Sequence, residues 1–145
     1  MAIPSAICTS FKQELLVGTH NFTATTGNTF KIALFTSSAT LGASTTAYST
    51  SNEITNSSGT AYTAGGATLT SVTPTTDSTT AICDFADVSY TSASFTANGA
   101  LIYNSSQSDK AVCAIAFGSD KTVTSGTFTI QFPTADATNA IIRLA

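Results

Sequence analysis

Gly126-Thr127-Phe128-Thr129-Ile130-Gln131-Phe132 alternates polar and apolar side chains without a break, and Pro133 stops it. A period of two puts Phe128, Ile130 and Phe132 on one face of an extended strand and Thr127, Thr129 and Gln131 on the other. Working outward, the same reading recurs. Residues 111–117 (AVCAIAF) are apolar on both faces, which predicts a central strand. In residues 30–35, Phe30, Ile32 and Leu34 share a face. In residues 79–85, Ala81, Cys83 and Phe85 do so, and Val88 and Tyr90 continue that face after a bend at 84–87. Strands are also expected at 67–73, 93–96, 100–103 and 140–144.

Turn chemistry divides these runs. Pro74 and Asp77 separate 67–73 from 79–85, Asn98-Gly99 predicts a tight hairpin, residues 104–110 are a polar turn, and Gly118-Ser119-Asp120-Lys121 predicts another. About seven to nine short strands, spaced roughly ten residues apart with no intervening helices, make an all-β antiparallel β-sandwich, jelly-roll or Ig-like. One short N-terminal helix is added. Ser10-Phe11-Lys12-Gln13 has the form of a capping box, Phe11, Leu15 and Leu16 follow at helical spacing, and Gly18 supplies a stop. The helix, over 11–17, has too small an apolar face to stand alone and must dock. Residues 1–10 lack periodicity and contain Pro4, so they are read as an N-terminal arm, with residues 11–145 a single sandwich domain. The Ser/Thr-rich stretch 36–66, with Leu41, Tyr48, Ile54 and Tyr62 as isolated anchors, is too long for an ordinary connection and is expected to be a large ordered loop.

Only 9% of the 145 residues are charged, while about a third are Ser or Thr. Such a surface repels its neighbours weakly and suits a protein packed into an assembly. The net charge of −3, with Lys12, Lys31, Lys110, Lys121 and Arg143 scattered, lacks the basic stripe of a nucleic-acid binder. The longest apolar run is far shorter than a membrane span. The segment MAIPSAICTSFKQELL has neither a basic start nor a long apolar stretch, so it is not read as a secretory signal, and folding in a cytoplasm is expected. There, Cys8, Cys83 and Cys113 are expected as buried free thiols rather than disulfides.

No constellation assembles a catalytic, cofactor or metal site. Asp84 and Asp87 lie three apart without further acids nearby, and read as strand-end caps. His20, the one histidine, has no ligand-spaced partner and no nucleophile elbow, and reads as a surface or helix-terminal residue. Gly65-Gly66 is a turn without the lysine or helix of a phosphate loop. Asn21, Asn56 and Asn104 begin glycosylation-type triplets that a Ser/Thr-rich chain produces by chance. Tyr48, Tyr62, Tyr90 and Tyr103 would form a sugar platform if exposed; core and loop-anchoring roles are expected instead.

The runs KIALFTSSATLGASTTAYSTSNEI, GTAYTAGGATL, CDFADVSY and ANGALIYN resemble a family of small virion structural proteins of tailed bacteriophages. The resemblance covers most of residues 11–145, and its specific phrases are TAYSTSNE, YTAGG and GALIYN. It implies a non-enzymatic particle component without cofactors: a capsid decoration (cement) protein binding the major capsid protein, or a tail or fibre component. A homo-oligomer, favoured as a trimer, located in virions assembled in the host cytoplasm is the corresponding expectation. A carbohydrate-binding β-sandwich module is the alternative of another class.

Overall fold

The computed structural model describes residues 3–55 and 58–145. Among them are eight strands and one helix: β1 (Ala6–Ile7), α1 (Thr9–Leu16), β2 (Phe30–Phe35), β3 (Ala67–Thr68), β4 (Ser71–Asp77), β5 (Thr80–Phe85), β6 (Val88–Asn104), β7 (Lys110–Ile130) and β8 (Ile142–Leu144). They form two antiparallel sheets, ordered β1-β7-β6-β2-β3 and β4-β5-β8, so the chain is an all-β, sandwich-like fold with one short helix. Phe30, Ile32, Leu34, Leu101, Ile102 and Val112 of the larger sheet are fully buried in one core with Phe11 of α1 and Phe85 of β5. Within it Phe22 stacks on Phe30 with ring centroids 4.3 Å apart, and both rings meet Phe85.

The alternating runs become strands, but several expected stops do not interrupt them. Asn98-Gly99 makes no hairpin: both residues lie inside β6, which continues to a turn at residues 105–109. Nor does Gly118-Ser119-Asp120-Lys121 end β7. On β6 the single residue Asn98 faces four residues, 117–120, of β7, so the turn-forming tetrapeptide is a large bulge. Gly99 is required by close approach, because a Cβ there would lie 2.6 Å from the Ile115 carbonyl oxygen and 2.8 Å from Ile3. Further register slips fall at Ser92 (φ 52°) and Ser125 (φ 46°). These irregularities bend the β6–β7 ribbon. Phe117 and Phe128 rings lie 6.0 Å apart, whereas eleven residues of straight strand would span about 36 Å.

Pro74 likewise sits within β4 rather than in a turn, at a bulge between Val72 and Thr75; the reversal is made by Ser78 at φ 54°. β4 is an edge strand, where a proline costs no ladder bond. The expected strand 67–73 is divided between the sheets, with buried Leu69 at the crossing.

The N-terminal segment also departs from expectation. Residues 3–8 lie along their own sheet: Ala6 and Ile7 pair with Ala114 and Cys113, Ser5 Oγ accepts from the Ala116 N–H, and Ile3 is buried. Met1 and Ala2 of the expected arm fall outside the described residues. The helix starts earlier than expected, with Cys8 as N-cap and no side-chain cap. Its end is held instead by tertiary carbonyls, since Cys8 N–H donates to Val112 and Thr9 N–H to Ala43. Ser10 therefore sits inside the first turn, its hydroxyl buried and without a partner, and the capping box does not form. The stop at Gly18 holds. Its φ of 75°, with Gly18 N–H donating to Leu15 and Thr19 N–H to Glu14, makes a Schellman motif. Leu16 does not face the core; it is 88% exposed, and Glu14 is buried instead.

The long loop is a lid over two edges. Ile54 N–H donates to Leu34 O, Glu53 bridges to Phe35, and Tyr62 Oη accepts from Leu34 N–H, closing the outer edge of β2 beyond β3. Residues 46–48 close the start of β7 through Ala111 N–H to Thr46 O and Tyr48 N–H to Asp109 O.

Candidate functional site

His20 lies two residues past the helix stop, as a helix-terminal histidine would, but it is buried, not at the surface. Its Nε2 is 2.7 Å from Glu14 Oε2 and its Nδ1 is 3.0 Å from Asn104 Nδ2. Asn104 is fully buried; its amide nitrogen also donates to Asn28 Oδ1, and its Oδ1 accepts from Ser106 N–H. An amide nitrogen can only donate, so Nδ1 of the ring accepts and Nε2–H donates to Glu14. Lys110 Nζ completes the chain 3.0 Å from Glu14 Oε1. Burial pushes the Glu14 carboxyl upward, but hydrogen bonds from His20 and Lys110 outweigh it, and its pKa is lowered. A histidine–carboxylate pair can relay a proton, but the His20 side chain has no exposed surface, so nothing outside the fold reaches it. The sequence reading missed Glu14; its place three residues after Phe11, on the same helix face, is the one signal that points to it.

A second, half-buried carboxylate fastens the lid. Glu53 Oε2 accepts from Tyr48 Oη (2.7 Å), while Oε1 accepts from Tyr62 Oη (2.6 Å) and Gly65 N–H (2.7 Å). Tyr103 Oη donates to Gly65 O, and its ring stacks on Tyr48 at 4.5 Å. Burial, followed by the bond to Glu53, holds the Tyr48 and Tyr62 phenols well above their usual range. Gly65-Gly66 is the expected turn, with φ of 89° and 77°. Tyr90 and Tyr103 are also buried, and Tyr48 is half-buried, so the four tyrosines are core and lid anchors.

The remaining singled-out residues are structural too. Asp87 Oδ1 accepts from Phe132 N–H at 2.8 Å, tying the entry of β6 to the residues after β7, while Asp84 lies within β5 opposite Val72. Cys8, Cys83 and Cys113 are free and buried, and burial raises their thiols to about 11, 12 and 12. Of the three glycosylation-type triplets, Asn104 is buried, Asn21 bonds Thr23 N–H, and Asn56 lies outside the described residues. Among the described residues no group of three or more His, Cys, Asp or Glu could hold a metal ion. Among the described residues no helix is long and apolar enough to cross a membrane.

What the molecule presents outward is a groove of about 780 Å³ where the two layers part. Ala6 and Ile7 of β1, Ile115, Phe117 and Phe128 of β7, and Ile141 before β8 line it, with Lys121 as the one charged residue on its wall. The sequence runs put Ile115, Phe117, Phe128 and Ile141 on strands but read Ala6 and Ile7 as arm and Lys121 as turn, and only the bend in β7 brings Phe117 and Phe128 together. Elsewhere the solvent face is knit by hydroxyls: Ser89 meets Thr129 at 2.9 Å and Thr96 meets Thr122 at 2.8 Å, each pair directly across the ribbon. These bonds take the place that cross-strand ion pairs occupy in more charged proteins.

Comparison with protein-family models, with curated proteins and with solved structures finds no match to this chain.

Proposed function

We propose that the chain is a structural protein of a tailed-bacteriophage virion, a capsid decoration (cement) protein that binds the assembled head and bridges coat subunits. The observation that carries the reading is the surface: 9% charge, hydroxyl pairs in place of ion pairs, and an open apolar groove at the side of the sandwich. A face of this kind loses little charge solvation when it is covered, so many modest contacts can accumulate over a symmetric lattice. The phrases TAYSTSNE, YTAGG and GALIYN support the same assignment by resemblance. The chain acts by binding rather than catalysis, as a homo-oligomer with trimeric symmetry favoured. Preferential binding to the assembled shell stabilises it by mass action. The sugar-binding alternative loses its platform with the tyrosines turned inward.

The test is reconstitution. Heads assembled without this chain are titrated with purified protein, and their heat-induced DNA release is followed. Saturable binding with a rise in release temperature is expected. Binding confined to tails would make it a tail or fibre component, and binding to neither would overturn the virion reading.

A further inference from the structure

The groove borders two backbone edges that the fold leaves open. β7 runs to Ile130, yet β1 pairs with it only at Cys113 and Ala114. Beyond the Ser5–Ala116 bond, no backbone partner occupies the outer edge of β7 among the described residues. β8 pairs with β5 on one side alone. The other edges are treated differently: the lid closes β2, and β4 carries Pro74 and a bulge. Beside the open edges, Ile115, Phe117, Phe128 and Ile141 are only half-buried.

We propose that this groove is a docking site for an extended segment of a neighbouring particle subunit, apolar at alternate residues and carrying a carboxylate near Lys121. An extended chain satisfies the exposed N–H and C=O groups while its alternate side chains enter the apolar groove, the logic of strand addition. Charge complementarity sets the rest. Lys121 is the one charged residue lining the groove, its ammonium bonds only Ser119 Oγ at 3.2 Å, and Arg143 lies on adjoining β8. No carboxylate lines the groove, and the acids adjoining its lining residues are already engaged, Asp120 by Asn98 and Asp136 by Asn139. The source of the segment rests on the virion reading above; the site itself does not.

The experiment uses isotope-labelled protein and two synthetic eight-residue peptides of alternating Thr and Val, one ending in Asp and its twin in Lys. The Asp-ended peptide is expected to shift the amide resonances of residues 113–131 saturably, and to bind about tenfold more tightly than its twin, a difference of about 1.4 kcal/mol. Lys121→Glu should reverse that preference. Phe117→Ser should weaken both peptides, with a native-like amide spectrum showing that it has folded. No saturable shift, equal binding of the twins, or a groove already filled by a second copy at micromolar concentration would overturn the proposal. Because the peptides are added to the isolated protein, their failure leaves the particle assignment to be judged by reconstitution.

Discussion

Glu53 shows how much a single residue holds here, since three donors converge on its carboxylate and one of them, Tyr62, also receives the Leu34 N–H. Glu53→Ala leaves Tyr48, Tyr62 and Gly65 without their acceptor. A loss of about 3 kcal/mol is expected in urea unfolding, and a loss below about 1 kcal/mol would show that the lid is held by its apolar anchors alone. Gly66→Ala should be worse tolerated, because φ is 77° and a Cβ would lie 1.9 Å from the Ile32 carbonyl oxygen. Glu14 gives a pH signature. Its folded pKa lies below the ordinary 4.5, so its contribution is full above that value and is lost as the pH falls through the folded one. Glu14→Gln should flatten the acid limb of the stability curve; an unchanged limb would contradict the His20–Glu14–Lys110 chain. At this scale the sequence was least legible. Buried Glu14 and Asn104 are each satisfied by His20, one on either ring nitrogen, and no local pattern announces a bond between residues 84 positions apart, such as that of Asn104 with His20.

At the scale of elements the alternating runs read well and the punctuation read poorly. β2 has the expected bounds, and the apolar face of the end of β7 is the one that periodicity assigns; in β5 Cys83 and Phe85 are buried as expected, but Ala81 of the same face is exposed and Ile82 is buried as well. Asn98-Gly99 and Gly118–Lys121 carry turn chemistry because a bulge makes the same demands as a turn: positive φ, as at Gly118 (φ 80°), or room for a close neighbour, as at Gly99. Sequence alone registers that demand without saying whether the chain reverses. The N-terminal segment escaped notice for a different reason: two residues are too short for a period, and β1 exists only because β7 offers it an edge. Deleting residues 1–8 therefore removes more than a tether. It takes Ile3 from the core, frees the Val112 carbonyl and uncovers the β7 edge. Destabilisation by about 2–4 kcal/mol with increased self-association is expected, measured by thermal unfolding and sedimentation. A truncated chain as stable and as monodisperse as the parent would mean that the pairing contributes little.

For the whole molecule, the scarcity of charge shifts stability onto buried neutral groups, and this predicts fragility in alkali. Cys83 and Cys113 are held at about 12, as are Tyr90 and Tyr103, all chiefly by burial. In the unfolded chain thiols ionise near 9.0 and phenols near 10.0, so the unfolded state releases protons first. Stability should fall as pH rises above 9 and continue falling towards 12. In native protein at pH 8 the three thiols should resist alkylation, and all should react once it is unfolded; rapid native labelling would contradict their burial. The architecture class was legible from period and spacing, whereas the open groove was not, because it exists only in the bend that brings distant parts of β7 together. The central claim concerns what such a molecule is for, and it is tested most directly by counting. Quantitative mass spectrometry of purified particles should give a ratio to the major coat protein near one copy, or near one trimer per coat-lattice position. A few to a few dozen copies per particle, or none, would contradict a shell-wide decoration role.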